Sequence, residues 1–171
     1  MNILSSQKGF TLVELILYVA ICSILLLTIS SFLSFLLGAR VRSQAITEVN
    51  QQGFQVMSLM TQTIRNGRSI QSPSMGNSSS TLSITTGDAL LNPTVFTMSS
   101  STVITIKEGS KTILPLTNSR VEVSALTFQN VSSASSTEKI IRISFTIDYL
   151  NPLGRSEYSF TKSFSGSATL R

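Results

Sequence analysis

The chain has 171 residues, enough for one membrane helix and one modest globular domain. Charged residues make up only 12%, about half the usual share for a soluble globular chain, and the net charge of +5 is spread without a basic run, so it reads as a solvated surface and not as a nucleic-acid tail. With no histidine and one cysteine, Cys22, inside an apolar stretch, the sequence excludes an intramolecular disulfide and lacks the commonest general base and metal ligand.

From Phe10 to Leu37 the chain reads FTLVELILYVAICSILLLTISSFLSFLL, 28 residues with one charge, Glu14. As a helix this run is about 42 Å long, against about 30 Å for the hydrocarbon core of a bilayer. It exceeds the apolar region of a signal peptide, about 7–15 residues, and its end, Leu36-Leu37-Gly38-Ala39-Arg40, has no small-x-small cleavage pattern. The sequence therefore predicts a helix retained in the mature protein. Glu14 is the anomaly, because a carboxylate at the centre of a membrane helix costs about 2.5–3.5 kcal/mol. Near one end it costs less, and three readings stand side by side: it snorkels to the headgroups, it is protonated, or it has a cationic partner. Lys8 lies outside the run and no other cation occurs between Phe10 and Ala39. A cut before Phe10 would supply a second cation, the new amine, one helical turn from Glu14 or facing Glu14 of a neighbouring subunit.

Lys8-Gly9-Phe10-Thr11-Leu12-Val13-Glu14 followed by an unbroken apolar helix resembles the N-terminus of type IV prepilins and type II secretion pseudopilins. The resemblance implies a short polar leader over 1–9, cleavage between Gly9 and Phe10 by a membrane prepilin peptidase that also methylates the Phe10 amine, and a filament-core helix over 10–37. It implies that Glu14 neutralises the amine of an adjacent subunit and helps set axial register. Glycine before the cut suits a peptidase that must approach the backbone closely. The implied partners are other pilins or pseudopilins through this helix, the peptidase/N-methyltransferase and an assembly-platform membrane protein. The implied location is the cytoplasmic membrane, single-pass with the C-terminal domain outside, and then a pilus or pseudopilus. Charge alone leans the other way, with Lys8 before the span and Arg40 and Arg42 after it; the motif is the more specific signal. The chain departs from the major-pilin pattern in having no proline at Thr28-Ile29-Ser30-Ser31-Phe32 and no cysteine-closed C-terminal loop. Both departures point to a minor pilin or minor pseudopilin.

The next segment, 38–70, reads as an amphipathic continuation. Ala45, Ile46, Val49, Phe54, Val56, Met57, Met60 and Ile64 recur near helical spacing, with Glu48, Gln51, Gln52, Gln55 and Gln62 between them. Gly53 falls beside the stripe, where a missing side chain lets another element come close. The helix is expected to stop near Asn66-Gly67, with glycine taking a left-handed cap. Gln44–Ile70 adds a weaker resemblance to the post-membrane helix of J-type minor pseudopilins and W-type minor pilins.

Over 71–171 the period changes to two. Ser72–Ser80 reads as a polar loop; Leu82 and Ile84, then Ile104 and Ile106, mark strands. Val121 and Val123 begin a strand that shifts phase at Ala125-Leu126, which predicts a bulge. Ile141, Ile143, Phe145, Ile147 and Tyr149 form the clearest strand, and a last one is expected to carry Tyr158, Phe160 and Phe164. Turns fall at Glu108-Gly109-Ser110 and Asn151-Pro152-Leu153-Gly154, and a second serine-rich loop at Asn130–Thr137. The fold class expected is α+β, pilin-like: a long N-terminal helix packed on an antiparallel β-sheet.

No catalytic carboxylate pair, activated serine, phosphate loop or dinucleotide fingerprint can be found, and the acidic calcium loop of some major pseudopilins has no counterpart. The sequence thus predicts a non-enzymatic assembly subunit without metal or cofactor. Two alternatives stay open: a filament-tip module binding DNA, a surface or a secreted substrate, and a plain single-pass membrane-anchored β domain that keeps Met1–Gly9.

Overall fold

The structure is a computed structural model and describes residues 9, 11–100, 102–133 and 138–170. Helix α1 spans Leu12–Arg65, 54 residues without a break. The chain divides into two compact units, residues 1–40 and 41–171, and α1 runs through both.

In the first unit α1 is apolar all round. Its side chains from Leu12 to Leu37 are exposed, and none of the most apolar 18 residues is buried. By length and composition this helix can cross a membrane. Its hydroxyls do not compete with the helix: Ser23 donates to the Val19 carbonyl (2.8 Å), Thr28 to Leu25 (2.8 Å) and Ser34 to Ser30 (3.0 Å). Each is satisfied inside the helix, so none demands water.

In the second unit, strands β1 (Gly67–Ser72), β3 (Leu82–Thr86), β4 (Thr94–Ser99), β5 (Val103–Glu108) and β6 (Leu114–Pro115) form a five-stranded sheet in the order β1-β3-β4-β5-β6. A four-stranded sheet has the order β2-β7-β8-β9, built from β2 (Ser78–Ser79), β7 (Val121–Asn130), β8 (Ile140–Tyr149) and β9 (Thr161–Thr169). Every pairing is antiparallel. The α+β expectation holds, and the single sheet it named is two. One core serves both: Val49, Val56, Met60 and Ile64 of α1 pack with Leu82, Ile84 and Phe96 of one sheet and Phe128, Ile143 and Phe145 of the other. The Phe96 and Phe128 rings, 6.4 Å apart, join the sheets directly.

The expected close approach at Gly53 is real: a Cβ there would overlap the Phe164 ring of β9. Phe164 also stacks on Phe145 at 5.4 Å. The bulge is real too. Ser124 pairs with Thr146 and Thr127 with Ser144, so β7 carries one extra residue, and Ala125 takes φ +54° to absorb it.

Other expectations need correction. Residues 67–70 are not the end of the amphipathic helix; α1 stops at Arg65 and Gly67 opens β1. Gly67 has no left-handed φ. A Cβ there would sit 3.0 Å from the Ile64 carbonyl oxygen, a tight approach that glycine avoids. Phe54 is exposed, not part of the buried stripe; its ring meets Phe164 edge-on at 5.6 Å, and Gly53 takes the buried position beside it. Tyr158 and Phe160 precede β9, with Tyr158 in a 3-10 turn over Ser156–Tyr158. The Ser72–Ser80 loop is tied down: Ser78 and Ser79 pair with Gln129 and Phe128, and buried Asn130 donates from Nδ2 to the Pro73 carbonyl at 2.9 Å. In the second serine-rich loop, residues 134–137 lie outside the described residues.

Candidate functional site

The start of α1 is built by Thr11. Its Oγ1 accepts the Glu14 N–H at 3.3 Å and its carbonyl accepts the Leu15 N–H at 3.1 Å. Thr11-Leu12-Val13-Glu14 therefore follows the Thr-x-x-Glu capping pattern, with Thr11 as the cap and Glu14 as the third helical residue. A carboxylate in the first turn also faces the positive end of the helix dipole. The Tyr18 hydroxyl, one turn on, donates to Glu14 Oε1 at a long 3.4 Å. Among the described residues no ion pair involves Glu14, and its carboxylate stands exposed on an apolar helix.

Of the processing residues, Gly9 is exposed, and among the described residues nothing lies within 4 Å of where its side chain would be. Phe10 lies outside the described residues. Thr11 and Tyr18 escaped the sequence reading. The Thr-x-x-Glu spacing was a visible signal for the first; for the second, only the four-residue offset from Glu14 was.

Elsewhere, Glu48 of α1 accepts from Asn118 Nδ2 at 2.5 Å and lies 3.6 Å from the Arg120 guanidinium. Lys162 donates to Asn50 Oδ1 at 2.6 Å, with its ammonium 5.2 Å from the Phe54 ring centre and 5.3 Å from that of Phe164. These contacts fasten α1 to β9 and to the segment that leads into β7. Among the described residues no three of His, Cys, Asp or Glu gather as metal ligands would.

What remains is a capped, exposed, apolar helix carrying one acid in its first turn. Residues 4–30 match the family of the prokaryotic N-terminal methylation motif. The methylation motif thus takes in Gly9, Phe10, Glu14 and most of the apolar run. It supports a likeness to the N-terminus of type IV pilins and pseudopilins and, with the apolar helix, a membrane anchor. No curated protein and no solved structure matches the chain.

Proposed function

We propose that this chain is a prepilin-like structural subunit, cut between Gly9 and Phe10, methylated on the new amine, and packed by α1 into a type IV pilus or a type II secretion-like pseudopilus. The observation that carries this reading is the methylation motif running directly into a helix whose apolar side chains are exposed among the described residues. Moving such a helix from lipid into a bundle of identical helices exchanges one apolar environment for another, so the gain per apolar side chain is small. The Glu14 carboxylate then decides the balance, because an amine on the next subunit removes an uncompensated charge. Gly9 suits the cut site, since a peptidase that must approach the backbone closely favours glycine before the bond.

The absence of a helix proline at residues 28–32 and of a disulfide favours a minor subunit, of the J- or W-like kind, over a major pilin. Its partners would be other pilins, the peptidase and the assembly platform. Intact-mass measurement tests the reading after coexpression with a prepilin peptidase. The expected product starts at Phe10 and carries one added methyl group, and Gly9→Leu should remain full length. A wild-type product that still begins at Met1 would overturn the proposal.

A further inference from the structure

We propose that the outer edge of β9 docks an extended acidic peptide of a partner chain, which adds to the four-stranded sheet as a further strand. Among the described residues the two sheets end in four edge strands, β1, β6, β2 and β9. Three are blunted. β2 and β6 have two residues each, β6 contains Pro115, and the register of β1 on β3 shifts between Gly67 and Ser69 and again between Ile70 and Ser72. Short strands, proline and irregular register keep an edge from pairing with other chains. β9 has none of them. Its nine residues pair with β8 from Asp148↔Thr161 to Ile140↔Thr169 without a shift.

The phase of the ladder shows which groups are unused. The Tyr149 N–H donates to the Phe160 carbonyl and the Leu170 N–H to the Lys139 carbonyl, each at 2.9 Å. Even-numbered residues of β9 therefore face β8, and the N–H and C=O groups of Thr161, Ser163, Ser165, Ser167 and Thr169 point away from it. None of these five amides meets an acceptor among the described residues, and Ser163, Ser165 and Ser167 are exposed. The unused groups recur about every 7 Å. An extended chain presents matching carbonyls and amides at that spacing, whereas a helix has already spent its own, so the occupant is a strand.

The second half of α1 runs beside this edge and sets the chemistry of the strip. Asn50 holds Lys162, Gly53 admits Phe164, Met57 packs against Gly166, and Arg65 shares an open hollow with Glu138, Ser167 and Thr169. Phe54, exposed and edge-on to Phe164, offers an apolar surface to inward side chains of the added strand. Lys162 is the one charge on β9, and its ammonium is turned onto Asn50 and the Phe54 and Phe164 rings, so it does not bar the edge. Charge selects the occupant. Lys162 marks one end of the strip and Arg65 the other, and among the described residues neither is in an ion pair. Against these two cations stands one acid, Glu138, so a negatively charged segment fits and a basic one is repelled.

The test uses the full chain in detergent micelles and a fluorescent nonapeptide of alternating threonine and valine with aspartate at each end. Its anisotropy should saturate on titration, and binding should slow hydrogen exchange at the Ser163, Ser165 and Ser167 amides while leaving Phe164 and Gly166, already in the ladder, unchanged. Ser165→Pro removes an N–H that β8 does not use, so the melt should hold while peptide affinity falls at least about tenfold, the worth of one lost hydrogen bond. Lysine in place of both aspartates should weaken binding at least about fivefold at low salt. The same peptide N-methylated at every threonine and valine keeps the test on the wild-type chain and should not bind. No saturable binding, binding that ignores Ser165→Pro or N-methylation, or binding indifferent to the lysine exchange overturns the proposal. A dimer of the chain that Ser165→Pro abolishes, with no peptide taken up, gives the edge to a second copy and overturns it as well.

Discussion

Glu14 is an acid on a helix whose neighbours Leu15, Ile16 and Leu17 are all exposed, and the local structure gives it two partial answers: a place in the capped first turn and a long hydrogen bond from Tyr18. Neither supplies a positive charge. Glu14→Gln keeps the shape and removes the charge, so membrane insertion should be unchanged while incorporation into sheared filaments falls by about tenfold or more, as for a charge left without its partner. Normal incorporation of Glu14→Gln would remove the charge argument. Thr11→Ala tests the cap separately and should fray the first turn at a cost of about 1 kcal/mol, read as lost protection of the Glu14 and Leu15 amides from hydrogen exchange. At Gly53 the issue is space. Any side chain there meets the Phe164 ring, which is itself wedged against Phe145. Gly53→Val should destabilise the β-bearing unit by about 1–3 kcal/mol in urea unfolding, and Phe164→Leu should recover part of that loss.

Among the elements, α1 was legible because its two halves carry two plain signals, an unbroken apolar run and then an apolar stripe at helical spacing. The methylation motif was legible because its residues are adjacent in sequence; the Thr11 cap was overlooked although it lies within the same residues. Other features were hidden for physical reasons. Phe54 obeys the apolar period, but Gly53 must occupy the buried position to admit Phe164, so the stripe turns by one residue. Strand β4 hid because its inward positions are Thr94 and Phe96 while Val95 points outward. Thr94 is tolerated inside because its hydroxyl donates to the Leu91 carbonyl at 2.8 Å. The split into two sheets depends on which strands pair across long separations, and apolar alternation does not encode that. The bulge in β7 was legible from its phase shift, and it carries a prediction. Ala125 takes φ +54°, where a Cβ is strained and glycine is not. Ala125→Gly relieves that strain but loosens the unfolded chain, so the net gain should be small, up to about 1 kcal/mol. Ala125→Val should lose more than that, and a thermal melt that ranks valine at or above alanine would contradict the left-handed bulge.

At the scale of the whole molecule, the two units answer to different solvents. Among the described residues, every buried hydrophobic residue lies at Ala45 or beyond, and none lies in the exposed run before it. Removing residues 1–40 therefore deletes no core contact. It creates a new helix end at Val41, whose first turn has four N–H groups without helical partners and should fray. That fraying reaches Ala45 at most, because Val49, Val56, Met60 and Ile64 are clamped between the sheets and Glu48 and Asn50 are held by Asn118 and Lys162. The fragment 41–171 should consequently be soluble without detergent and melt in one cooperative transition by circular dichroism, whereas the full chain should need detergent because its apolar helix has nothing of its own to bury against. Adding Met60→Asp to the fragment places an unpaired charge where the helix meets both sheets, and should abolish that transition outright. If the fragment instead aggregates or melts gradually while the full chain in detergent melts sharply, the β-bearing unit depends on the apolar half of α1. The division of labour between a folding half and an assembling half would then be wrong.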